Sequence, residues 1–88
     1  EDEKESGNGL YRAEIKIYGN NRTGLLVDIT KVFTEKNIDI NAIHSKTSKQ
    51  EIATIDISFN TRGRAELTNV IEKLRQVESI IDIERTTG

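Results

Sequence analysis

The sequence has no cysteine, methionine, tryptophan or proline, and one histidine, His44, in 88 residues. Without cysteine there is no disulfide framework, thiol nucleophile, iron–sulfur cluster or cysteine-based zinc site. A lone imidazole gives no pair of histidines to hold a metal, and no cofactor is expected. Long apolar runs are also missing. Nothing approaches the roughly 18 consecutive apolar residues of a membrane span, and EDEKESGNG at the start has neither the basic region nor the apolar stretch of a signal peptide. These absences lead to the expectation of a soluble, cytoplasmic chain with no membrane partner. A chain this short supports one small core and no second lobe to close over a substrate, so catalysis within it is not expected.

The formal charge of −2 is unevenly distributed. Residues 1–9 carry four acids and one lysine, a net of −3, which leaves +1 for residues 10–88. That near-neutral balance lacks the basic stripe that phosphate neutralisation demands of most nucleic-acid binders, so no direct nucleic-acid partner is expected. Residues 1–9 contain no apolar side chain and read as a disordered linker, or as residues foreign to the domain that occupies 10–88.

From residue 10 onward the hydropathy becomes periodic. Tyr11, Ala13, Ile15 and Ile17 alternate with Arg12, Glu14, Lys16 and Tyr18, predicting a strand with one buried face. After the turn formers Gly19 to Gly24, the residues Leu25, Leu26, Ile29, Val32 and Phe33 form the apolar stripe of a helix, with Thr23 as its expected N-cap and Asn37 as its left-handed stop. Ile38, Ile40 and Ala42 begin a second strand running to about Thr47. Residues 48–51 make a polar hairpin, and Ala53, Ile55, Ile57 and Phe59 mark a third strand. Leu67, Val70, Ile71 and Leu74 predict a second helix, and Ile81 and Ile83 the buried face of a last strand ending near Arg85.

The order βαββαβ contains a weak repeat, since Leu26, Ile29 and Phe33 recur 41 residues later as Leu67, Val70 and Leu74. Two right-handed βαβ units of this length interleave into an α+β, ferredoxin-like fold: a four-stranded antiparallel sheet of order 4-1-3-2 with both helices on one face. Strand 2 is then an edge, which must be blunted or joined to another chain. The open sheet face offers only Tyr18 among alternating charges, so base stacking in the manner of RNA-recognition domains is not supported. Asp28 and Glu35, seven apart on the polar side of the first helix, read as a solvated face rather than an acid/base pair, and His44 as a residue of the pairing edge rather than a catalytic group.

The strand-to-helix turn is the feature with binding chemistry. Gly24 stands just before an apolar helix start, where unpaired backbone N–H groups and the helix dipole favour a carboxylate. Asn21 can donate or accept there, and Leu25 and Leu26 would line a small apolar recess.

The run Ile15-Lys-Ile-Tyr-Gly-Asn-Asn-Arg-Thr-Gly-Leu-Leu-Val-Asp-Ile29, followed by Asn37-Ile-Asp-Ile-Asn-Ala-Ile43, resembles an ACT domain, a regulatory module attached to many enzymes of amino-acid metabolism. The resemblance covers about residues 10–86. Within that family the chain is most similar to the C-terminal ACT domain of RelA/SpoT proteins, the GTP pyrophosphokinases and (p)ppGpp hydrolases of the stringent response. Asp28-Ile29, Ile52 to Ile57, Val70 to Leu74 and Ile80 to Arg85 carry that closer similarity, and an end just after the last strand fits a C-terminal module.

The resemblance implies catalytic domains upstream in the same protein, homodimerisation through the edge strand, and an amino-acid effector between two subunits. Carried over by position, its contacts are Asn21, Arg22, Gly24, Leu25 and Leu26 from one subunit, with Asp39, Ile40 and Asn41 from the other. Serine-binding members such as phosphoglycerate dehydrogenase carry a histidine where this chain has Gly19. Leu25, Leu26 and Ile40 suit a branched-chain amino acid instead, with Asp39 at its ammonium group. For Arg22, contact with a ligand and a purely local role are both open. Two other readings stand beside this one: a ligand-free module that docks on the ribosome or on its own catalytic region, and an ACT domain belonging to a different enzyme or regulator of amino-acid metabolism.

Overall fold

The alternation in the first strand is realised as β1 (Tyr11–Asn20), with Ala13, Ile15 and Ile17 buried. The computed structural model describes residues 10–87, with the backbone alone for Thr87; the linker expected at residues 1–9 lies outside them. The other elements are α1 (Leu25–Glu35), β2 (Ile40–Thr47), β3 (Ile52–Thr61), α2 (Arg64–Arg75) and β4 (Ile80–Thr87). The sheet order is β2-β3-β1-β4 with every pairing antiparallel, which is the expected 4-1-3-2 read from the other edge. Register follows from burial: Ile15 faces Ile57, Ile17 faces Ile55 and Ala13 faces Phe59, so a one-residue slip would expose the whole apolar set.

Helix and sheet residues share one core. Leu25, Ile29 and Phe33 from α1 and Leu67, Val70 and Leu74 from α2 are buried against Ile15, Ile17, Ile55, Ile57, Phe59 and Ile83. Phe33 and Phe59 meet edge-on with ring centroids 4.9 Å apart and planes at 65°, an arrangement worth about 0.5–1.5 kcal/mol beyond area burial. Asn37 ends α1 as expected, with φ 58°. Its N–H donates to Thr34 O at 3.1 Å and that of Ile38 to Phe33 O at 2.9 Å, the paired bonds of a Schellman stop.

Four local expectations are corrected. Thr23 is not the N-cap of α1: Gly24 holds that position at φ 84°, with no side-chain cap. Leu26, counted in the apolar stripe, is 41% exposed, because the helix turns only Leu25, Ile29 and Phe33 fully inward. β2 begins at Ile40 rather than Ile38, and a bulge sets Ile40 opposite Phe59 but Ala42 opposite Ser58. The extra residue reverses the faces, so Ile43 lies on the helix side and Ala42 on the open side. A second irregularity, where Tyr18 faces Asp82 but Gly19 faces Ile80, leaves Ile81 55% exposed while Ile83 is buried.

Candidate functional site

The turn between β1 and α1 is held by contacts that begin with a close backbone approach. Gly19 is buried, and a Cβ there would lie 2.9 Å from the carbonyl oxygen of Ser79 and 3.4 Å from Leu25 Cδ2. The strand end can therefore pass beneath the turn between α2 and β4 only without a side chain, and the next residue completes the contact: Asn20 N–H donates to Ser79 O at 2.9 Å. A larger side chain at this position would meet the same backbone oxygen. Asn21 is tied to the opposite hairpin, its N–H donating to Glu51 O at 2.9 Å.

Arg22 fastens the turn. Its guanidinium donates to Asp28 Oδ2 at 2.8 Å, to Glu78 O at 2.9 Å, to Ser79 Oγ at 3.2 Å and to Thr23 O at 3.2 Å. One side chain thus links the start of α1 to the turn before β4. Ser79 sits at φ 80°, a left-handed conformation that a residue with a Cβ holds only when its surroundings impose it. Asp28, expected to be plain solvated surface, is the acidic partner of this clamp.

Gly24 at φ 84° then turns the chain into α1. The N–H groups of Leu25 and Asp28 donate to Arg22 O and Gly24 O, at 3.2 and 2.9 Å. In the first turn of a helix the remaining N–H groups, here those of Leu26 and Val27, have no intrahelical acceptor. They border a recess of about 220 Å³ lined by Asn21, Arg22, Gly24, Leu25, Leu26 and Val27 on the helix side, with Ser45, Ala53 and Ile55 from the sheet. The volume suits a small molecule, the lining is mainly apolar, and the recess opens beside β2, which among the described residues pairs only with β3.

Five of the eight residues singled out in the sequence meet at this recess. Asp39, Ile40 and Asn41 do not. Ile40 faces Phe59, whereas Thr47, at the recess end of β2, faces Ala53, so the two groups stand roughly 20 Å apart along the strand at about 3.3 Å per residue. At that far end Asp39 O accepts from Asn60 N–H at 3.2 Å and Asn41 Nδ2 donates to Asn60 Oδ1 at 3.1 Å. The sheet residues of the recess were missed in the sequence: Ala53 and Ile55 read as ordinary core, and the bulge in β2 hid that Ser45 faces the helices. Among the described residues no group of three or more His, Cys, Asp or Glu side chains could hold a metal, and no helix is long and apolar enough to cross a membrane.

A family model described as an ACT domain matches residues 7–85. The chain is 33% identical over 85 residues to a GTP pyrophosphokinase of Escherichia coli K12, covering 96% of this chain and 11% of that protein. It is 30% identical over 73 residues to a guanosine-3′,5′-bis(diphosphate) 3′-pyrophosphohydrolase of Aquifex aeolicus, covering 82% and 10%. It thus spans about a tenth of the length of these relatives. Among solved structures, the ACT domain from the GTP pyrophosphokinase of Chlorobium tepidum superposes with a TM-score of 0.76 at 28% identity, over 86% of this chain and 97% of that one.

Proposed function

The chain belongs to the ACT domain family, similar to the ACT domain of GTP pyrophosphokinases, and on that footing we propose that it regulates a (p)ppGpp synthetase or hydrolase whose catalytic domains lie elsewhere in a longer protein. Its signal is a small amino acid, branched-chain in preference to serine, taken up where two copies meet.

One observation carries this reading: the recess beside the turn and the Asp39–Asn41 segment lie at opposite ends of one edge strand. Two copies that pair antiparallel through β2, about a two-fold axis near Ile43 and His44, bring the Asp39–Asn41 segment of each toward the recess of the other. The ligand carboxylate then meets the first-turn N–H groups of α1, the ammonium meets Asp39 across the interface, and the aliphatic group lies against Leu25, Leu26 and Ile40. Gly19 supports the apolar preference, since the space a polar side chain would need is filled by Ser79 and Leu25. Arg22 acts on the shape of the turn rather than on the ligand, its donors being engaged by the protein. Regulation follows if the effector binds the paired state more tightly than the separate one, which shifts the balance between two states of the whole protein.

The test is a titration of the 88-residue chain with valine, isoleucine, leucine and serine, following amide shifts and sedimentation together. The expected result is movement at Asn21 to Leu26 and at Asp39 to Asn41 with a rise in dimer fraction, strongest for an aliphatic amino acid and abolished by Gly24→Val. A strict monomer whose amides stay still into the millimolar range would overturn it.

A further inference from the structure

The end of the sheet remote from the turn holds a second recess, of about 450 Å³, between the start of β1, the end of β4 and the start of α2. Its lining is unlike that of the first. The chain has six arginines and seven lysines; four of the six arginines, Arg12, Arg62, Arg64 and Arg85, line this recess, and no described lysine does. No described carboxylate lines it either. The remaining wall is Tyr11, Ala13, Thr61, Gly63 and Leu67, with Tyr11 54% exposed and Ala13 and Leu67 buried.

Two of the four have a carboxylate partner beyond the wall, Glu14 for Arg12 and Glu66 for Arg62, but the lining itself is cationic, and the choice of arginine over lysine narrows what complements it. A guanidinium presents a planar fork that matches the paired oxygens of a phosphate and stacks on flat rings, whereas an ammonium is a point charge. A zwitterionic amino acid fits poorly, because its ammonium would face an arginine-rich lining that offers it no carboxylate. Thr61 offers little to it, since its hydroxyl is engaged with Glu66 Oε1 and Gly63 O, both at 3.1 Å. Arg62 is held in place by Glu66 at 2.8 Å, and Arg12 by Ser58 at 3.0 Å and Glu14 at 3.5 Å, so these cations are positioned before any ligand arrives. Tyr11, itself about half exposed, supplies a ring beside an apolar floor, and the volume lies in the range of small-molecule sites.

We propose that this recess binds a nucleoside diphosphate or a larger nucleotide phosphate ester, its phosphates among the arginines and its base on Tyr11. The site is separate from the amino-acid recess, since Tyr11 faces Thr61 at one end of the β1–β3 ladder and Asn20 faces Ile52 at the other. It stands or falls independently of the effector reading.

The test follows amide and Tyr11 ring signals of the 88-residue chain at low salt during titration with GDP, ADP, inorganic pyrophosphate, valine and a single-stranded RNA oligomer. GDP and ADP should move the amides of Ala13 and Arg62 to Leu67 together with the Tyr11 ring, with valine leaving them unmoved. Arg64→Ala, at an exposed position whose loss leaves the fold intact, should weaken nucleotide binding about tenfold, and Lys46→Ala on the far part of the sheet should not. Pyrophosphate binding as tightly as GDP without moving Tyr11 would overturn the nucleoside assignment. Equal shifts at Lys31, Lys46 and Lys73 would reduce the effect to unspecific anion attraction, and tighter binding of RNA than of either nucleotide would replace the small molecule with a polymer; either result overturns the proposal, as does the absence of shifts into the millimolar range.

Discussion

Removing the guanidinium at residue 22 tests whether the turn is shaped by one clamp. In Arg22→Ala the bonds to Asp28, Glu78 O and Ser79 Oγ are lost together. The Asp28 pair is half exposed, with side-chain accessibilities of 27% and 48%, so its share is that of a surface ion pair, about 0.2–1 kcal/mol. The bonds to Glu78 and Ser79 are charged donors on neutral acceptors. Such bonds are worth about 1.5–3 kcal/mol when fully buried, and partial exposure discounts each to about 0.5–1 kcal/mol. The expected loss is about 2 kcal/mol, which lowers Tm by about 8–16 °C in a domain of this size. Thermal and urea unfolding followed by circular dichroism measure it. Arg22→Lys should recover only part of the loss, because the bonds to Asp28 and Glu78 leave Nη2 and the bond to Ser79 leaves Nε, two positions that one ammonium nitrogen cannot occupy together, and the ion-pair share should shrink at high salt. A loss below about 0.5 kcal/mol for Arg22→Ala, or full recovery with lysine, would refute the clamp.

Two further outcomes are expected. Gly19→Ala places a methyl group 2.9 Å from a backbone oxygen. It should destabilise by about 1–3 kcal/mol through strain rather than lost contacts, and an unchanged unfolding midpoint would show that the Ser79 turn yields freely. Glu66 differs in that its effect depends on pH. Burial raises its pKa, but the Arg62 N–H, the Thr61 hydroxyl and the Arg62 guanidinium stabilise the carboxylate and leave it below the ordinary value of 4.5. A depressed folded pKa means that the unfolded chain takes up the proton first on acidification. The stabilisation is whole above the ordinary glutamate value and is lost as pH falls through the folded one. Unfolding midpoints measured between neutral and acid pH should therefore show a fall in this window that Glu66→Gln removes; identical profiles would disprove the assignment.

Much of the architecture could be read from spacing alone. Period-two alternation in residues 11–18 and 53–59, and the three- and four-residue spacing of Leu67, Val70 and Leu74, each bury a face only in the conformation that was expected of them. With the short connections between elements and right-handed crossovers, those patterns leave one sheet order. The turn at Gly19 to Gly24 was legible for a different reason. Glycine before an apolar helix start has few other uses, and Gly24 does take the left-handed conformation that a side chain resists.

What stayed hidden depends on contacts between residues far apart in sequence. The bulge at the start of β2 reverses which residues face the helices, and a hydropathy pattern that tolerates either face cannot announce one extra residue. Arg22 could not be assigned from its neighbours because its partners, Glu78 and Ser79, lie 56 and 57 residues away. The four arginines of the second recess are scattered from position 12 to position 85 and gather only when β1, β4 and α2 meet. The sequence by itself determined the elements, the buried faces of β3 and α2 and the sheet order, because those depend on local periodicity and chain connectivity. Tertiary structure alone decided which polar residues share a site, because a charge acts over a few ångströms of space and takes no account of its distance along the chain.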